Sequence, residues 1–151
     1  MRIEIDDLTR PAVLALLQEH LQGMHDLSPP ESVHALDLDG LRAPDVTFWT
    51  AWTGDELAGC GALKTIGPTH GEVKSMRTPQ ARRRNGAAKA LLGHIIDAAR
   101  ARGHERLSLE TGSMAAFEPA QRLYESFGFH RCGPFASYRD DPNSIFMTRR
   151  L

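Results

Sequence analysis

Glu72 to Gly103, EVKSMRTPQARRRNGAAKALLGHIIDAARARG, carries the most specific pattern in the chain. It begins as an extended segment, passes through a turn rich in arginine and bearing glycine, and continues as one long amphipathic helix. From Ala88 the apolar residues return at Leu91, Leu92, Ile95, Ile96 and Ala99, the spacing of a helix that buries one face. Gly103 stands just past the last apolar turn, where helices commonly stop. Ahead of the helix, Pro79 and Gly86 keep the backbone irregular, and Arg82, Arg83 and Arg84 bring positive charge beside amides that a starting helix leaves unpaired. Strand, cationic turn and helix start together describe an anion site, with a diphosphate as its natural occupant.

Toward the N-terminus, Arg2 to Asp6 (RIEID) alternates as a short strand. Pro11 suits the first turn of a helix whose face carries Val13, Leu14, Leu17 and Leu21 and which is expected to end near Gly23. His25 to Pro44 holds Pro29, Pro30 and Gly40, with room for a short helix from Glu31 to Leu36. An irregular segment of this length inside one domain is a candidate binding segment, and Glu31 and His34 are its candidate acceptor contacts. Val46 to Trp52 and Leu57 to Ile66 read as a hairpin about Gly54 and Asp55, followed by a strand from Gly71 to Thr78. Trp49, in that hairpin, is read as packing, with the acceptor cleft as its other candidate setting.

Toward the C-terminus, Arg106 to Glu110 alternates as a strand. A helix then places Ala116, Ala120, Leu123, Tyr124 and Phe127 on one face and stops at Gly128. Phe129 to Tyr138 and Ser144 to Thr148 read as strands separated by the turn Asp140 to Asn143. Strands and helices alternate through the middle, so the chain is expected to be an α/β domain with a mixed sheet.

Composition narrows the function. The 151 residues fit one domain, 1–151, and the net charge of -1 gives no global field for nucleic acid or membrane. No apolar run reaches the length of a membrane span, and MRIEIDDL has neither a basic start nor an apolar signal core, so a cytoplasmic protein is expected. Cys60 and Cys132 stand far apart without a CxxC, and the histidines lack paired ligand spacing, so neither a disulfide framework nor a metal site is expected. The turn is neither a Walker A loop nor a Rossmann GxGxxG.

Arg83, Gly86 and Ala88 match the Q/RxxGxG/A signature of the GCN5-related N-acetyltransferases (GNAT), and Leu123-Tyr124 followed by Gly128-Phe129 resembles the LYxxxGF ending of the same family. The resemblance covers essentially the whole chain. It implies a mixed, V-shaped splayed central sheet flanked by about four helices, with acetyl-CoA wedged between the strand ending at Thr78 and the strand ending near Thr111. It further implies backbone contacts to the pantetheine arm from Met76, Arg77 and Thr78, and a diphosphate held by Arg83, Arg84, Asn85, Gly86, Ala87 and Ala88. Tyr124 falls where the family commonly places the acid for the leaving thiolate, and Glu72 where several members carry a base. The asparagine that many members have ahead of the last helix is replaced here by Phe117, Glu118 and Pro119. A homodimer is compatible with the resemblance.

The chemistry asks for these types. A carboxylate can take a proton from an amine, strand amides can bond a thioester oxygen, and a tyrosine can donate to a thiolate. The reading is an acetyl-CoA-dependent N-acetyltransferase acting on a small-molecule amine. Its rivals are a non-catalytic acyl-CoA-binding module, a protein N-acetyltransferase, and a nucleic-acid binder using Arg82 to Arg84; the last is disfavoured by the slightly negative charge and the lack of interleaved aromatics.

Overall fold

The hairpin about Gly54 and Asp55 sits near the centre of one half of a seven-stranded sheet. A computed structural model describes residues 1–30, 38–79 and 86–151. The expected short helix from Glu31 to Leu36, and Arg82 to Asn85 of the turn, lie outside the described residues. In chain order the elements are β1 (Arg2–Ile5), α1 (Pro11–Leu27), α2 (Leu38–Leu41), β2 (Val46–Thr53), β3 (Glu56–Gly67), β4 (His70–Arg77), α3 (Ala87–Ala101), β5 (Arg106–Gly112), a 3-10 turn (Ala115–Phe117) leading into α4 (Glu118–Ser126), β6 (His130–Cys132) and β7 (Ser144–Arg150). The strands stand in the order β1-β2-β3-β4-β5-β7-β6. Every adjacent pair is antiparallel except β4 and β5, which the crossover through α3 makes parallel. This is the mixed, splayed sheet with four helices that the sequence led us to expect.

The splay has a local cause. β4 and β5 pair only where His70 to Glu72 meet Arg106 to Ser108, although β4 continues to Arg77 and β5 to Gly112. Between the pairs Ala62↔Lys74 and Cys60↔Arg77, β3 advances two residues while β4 advances three. The extra residue is a bulge at Ser75, whose φ is 56°, and the Cys60 thiol donates to the Ser75 carbonyl at 3.3 Å across it. A bulge bends and twists its strand, here beyond the last rung shared with β5. At that seam Gly71 is required: a Cβ there would lie 2.8 Å from Leu63 Cδ1.

Each face of the sheet has its own apolar layer. On one, Leu91, Leu92 and Ile95 of α3 are fully buried against Leu63, Leu107 and Met147. On the other, Val13 and Leu16 of α1 and Leu41 of α2 pack on Phe48, Trp52 and Ala62. Burying a Leu or Ile side chain is worth about 1.5–3 kcal/mol, so α3 is held chiefly by this stripe.

Three expectations need correction. The first helix does not end near Gly23 but runs to Leu27. Gly23 lies inside it, with the Arg77 guanidinium packed over it at 3.6 Å from where a Cβ would stand. The strand expected from Phe129 to Tyr138 is only His130–Cys132, because Gly133 and Pro134 end the ladder and Ala136 takes a φ of 52°. Trp49 lies in the core beneath α3, only 3% exposed, with its ring edge-on to His94 and capped by Arg102. It does not line the cleft. No helix among the described residues is long and apolar enough to cross a membrane.

Candidate active site

Where β4 and β5 part, a cleft of about 680 Å³ opens between the two halves of the sheet. Six of the residues singled out from sequence line it: Glu72, Met76, Arg77 and Thr78 on β4 and just beyond it, Ala88 in the first turn of α3, and Tyr124 on α4. Ala87 is fully buried beneath them. Past Glu72 the edge of β4 facing β5 has no strand partner among the described residues, so its backbone groups border the cleft.

At one end of the cleft, Gly86 opens α3 with φ 85°, a left-handed conformation that favours glycine, and nothing lies within 4 Å of where a Cβ would be. Among the described residues no side chain caps this helix start and its first turn carries no acid, so the dipole end is suited to an anion. Arg83, Arg84 and Asn85, read from sequence as part of the same clamp, lie outside the described residues, as do Glu31 and His34.

Tyr124 stands on the opposite wall from β4. Its position follows from α4, which turns the residue inward beside Phe129, with ring centroids 6.0 Å apart. Burial, and secondarily the charge of Glu110, pushes its hydroxyl above the usual phenol range. The group therefore keeps its proton and is able to donate a hydrogen bond. The floor near the end of β5 is closed by Phe117, packed so tightly on Gly112 that a Cβ there would lie 2.2 Å from the ring, and Gln121 Nε2 donates to the Gly112 carbonyl at 2.8 Å.

Glu72 is 3% exposed yet is not isolated. Tyr138 Oη donates to Glu72 Oε2 at 2.5 Å, and Lys74 Nζ donates to the same oxygen at 3.2 Å and to Tyr138 Oη at 2.9 Å. A buried carboxylate needs such partners, because desolvation otherwise outweighs the gain from ionisation. Burial, then the Glu72 charge and the bond to it, holds Tyr138 far above the ordinary phenol range. Tyr138 reaches Glu72 because Phe135 and Phe146 wall its ring, at 5.0 and 5.4 Å between centroids. In sequence Tyr138 marks only the end of an expected strand, and Lys74 stands out only by its place two residues from Glu72. The two-residue spacing of Glu72 and Lys74, one face of a strand, was the signal available.

On the α1 side the cleft holds a second group that the sequence did not single out. His20 lines it beside Arg77, and the Arg77 charge adds to burial in lowering the imidazole to about 4, so the ring is neutral. Arg77 Nη2 approaches Glu19 Oε1 at 3.4 Å. Both cysteines are free, and burial pushes the Cys60 thiol up to about 12. Among the described residues no group of His, Cys, Asp and Glu is arranged to hold a metal ion.

A splayed sheet with a ligand cleft at its parallel seam, a tyrosine on one wall and a buried carboxylate on the other define an acyltransferase architecture. The chain belongs to the acetyltransferase (GNAT) family, whose pattern it matches over residues 12–129. It is 63% identical over 151 residues to the uncharacterized N-acetyltransferase YsnE of Bacillus subtilis, covering 100% of both chains. It is 52% identical over 149 residues to the uncharacterized N-acetyltransferase YedL of Escherichia coli, covering 99% of this chain and 94% of that one. A Bacillus subtilis acetyltransferase solved in complex with CoA shares the fold at a TM-score of 0.67 and 21% identity, over 99% of this chain and 98% of that chain.

Proposed function

We propose that this enzyme transfers acetyl from acetyl-CoA directly to a primary amine of a small molecule. One observation carries the reading: Tyr124 and Glu72 stand on opposite walls of a single cleft that also reaches the uncapped start of α3. The cleft suits an extended donor. Backbone groups of Met76, Arg77 and Thr78 would bond its amide arm, while Gly86, Ala87 and Ala88, with Arg83, Arg84 and Asn85, would take the diphosphate.

Transfer joins the acceptor nitrogen to the acetyl carbon as the carbon–sulfur bond breaks, and the amine gives up a proton. Glu72 is the group to receive that proton, with Lys74 and Tyr138 holding its carboxylate in place. Amides at the β4 bulge are suited to bond the developing oxyanion. Tyr124 has a more limited role than full proton donation. Its raised affinity for the proton makes transfer to a thiolate of ordinary pKa, about 8.5, uphill, so its contribution is a hydrogen bond that stabilises the departing sulfur.

Release of free thiol from acetyl-CoA across a panel of small amines tests the reading, with calorimetric binding of acetyl-CoA measured separately. Glu72→Gln should lower kcat/KM by about a hundredfold or more while leaving the acetyl-CoA Kd near that of the parent. Binding without turnover of any amine would instead support a non-catalytic acyl-CoA-binding module. Turnover confined to peptide N-termini would move the acceptor to proteins.

A further inference from the structure

His20 Nδ1 and Arg77 Nε are both sealed from solvent without a hydrogen-bond partner among the described residues. Buried polar atoms are seldom left unpaired, and those that are call for a ligand or water as partner. The two line the same cleft, and each feels the other's field, since the Arg77 charge disfavours protonation of His20. Neither side chain has a role in the transfer chemistry above, where Arg77 enters only through its backbone. Among the described residues Arg77 pairs with Glu19 at 3.4 Å, and that carboxylate is 40% exposed, so water screens the pair.

The bulge at Ser75 gives this pair its meaning. In an unbroken strand, Glu72 and Arg77 would point to opposite faces, because five residues separate them. The extra residue resets the alternation: Glu72 pairs with Lys64 and Arg77 with Cys60, positions four apart on β3 and hence on one face. Four strand steps set the two backbones about 13 Å apart. One face of β4 therefore presents a proton-accepting carboxylate and, a short molecule's length away, a guanidinium beside a neutral imidazole.

Resting on the amine-acetylation reading, we propose that the acceptor is an amino acid, whose carboxylate is received by Arg77 and His20 while its amine lies toward Glu72. The guanidinium, whose side chain is 22% exposed, meets a carboxylate entering the cleft, and Arg77 Nε and His20 Nδ1 become available to it as the two side chains turn toward that charge. A simple monoamine would leave both atoms unpaired.

The test compares matched acceptors on the unaltered enzyme: each common amino acid beside its carboxamide, with acetyl-CoA saturating and thiol release as readout. At least one free acid should exceed its amide in kcat/KM by tenfold or more. Arg77→Gln should bring that ratio close to one, and Arg77→Lys should restore part of it. His20→Gln should reduce it less than Arg77→Gln does. Acids and amides used equally would overturn the proposal while leaving amine acetylation standing, and so would turnover of monoamines alone. A second cavity on the other side of Glu72, Lys74 and Tyr138 carries Lys64 and Arg139. If Lys64→Gln or Arg139→Gln erases the discrimination and Arg77→Gln does not, the carboxylate lies there and the proposal is wrong. No turnover of any acid or amide, with acetyl-CoA binding intact by calorimetry, also refutes it.

Discussion

Replacing His20 with glutamine should flatten the acid side of the protein's stability profile. In the folded protein the imidazole is held neutral to about 4, first by burial and then by the neighbouring Arg77 charge, against an ordinary value of 6.5. The depressed folded value sets the sign. Below the ordinary value the unfolded chain binds a proton that the folded chain refuses, so stability is lost as pH falls from 6.5 toward 4 and levels off beneath both values. With about 1.36 kcal/mol per unit, the loss between about pH 7 and pH 5 comes to roughly 2 kcal/mol from this one group. His70 and His104, also lowered by burial, push in the same direction, and carboxylates enter below that window. Subtraction isolates His20: urea unfolding of parent and His20→Gln at half-unit steps of pH should give curves that converge by roughly 2 kcal/mol toward the acid end. The offset at neutral pH is irrelevant; only the difference in slope is read. Parallel curves would mean that the ring is protonated in the fold, and the argument from burial and Arg77 would fail with them.

Two further substitutions probe the cleft. Tyr124→Phe should lower kcat on the order of a hundredfold, the effect of losing one preorganised donor, with little change in acetyl-CoA Kd by calorimetry; an unchanged kcat removes Tyr124 from the chemistry. Gly112→Ala would set a Cβ 2.2 Å from the Phe117 ring, so the ring must move. The expected cost is about 1–3 kcal/mol of stability, read by urea titration, and parental stability would mean that Phe117 is loosely held.

The elements that sequence made legible are those whose apolar spacing is local. Leu91, Leu92, Ile95, Ile96 and Ala99 are all buried on α3, and the hairpin closes about Gly54 and Asp55, with Thr53 paired to Glu56. What escaped depends on distant contacts. Gly23 reads as a helix stop until Arg77, far along the chain, is seen lying against it. Trp49 alternates properly in β2, yet alternation does not tell which face α3 will cover. Ser75 is not a residue that announces a left-handed φ, so the bulge had no local signature, and with it went the shared face of Glu72 and Arg77. Tyr138 sits in a stretch without period, placed by rings at Phe135 and Phe146 rather than by a strand.

The seam between β4 and β5 is three residue pairs long, and among the described residues it is the sole strand pairing between the β1–β4 and β5–β7 halves. A molecule lying along the unpaired edge of β4 takes the place of the strand that β5 ceases to be, so occupancy and structural integrity become one equilibrium. At a hundred times its Kd, such an occupant adds about 2.7 kcal/mol to the unfolding free energy. Ligand supply and resistance to unfolding would then rise and fall together in this fold.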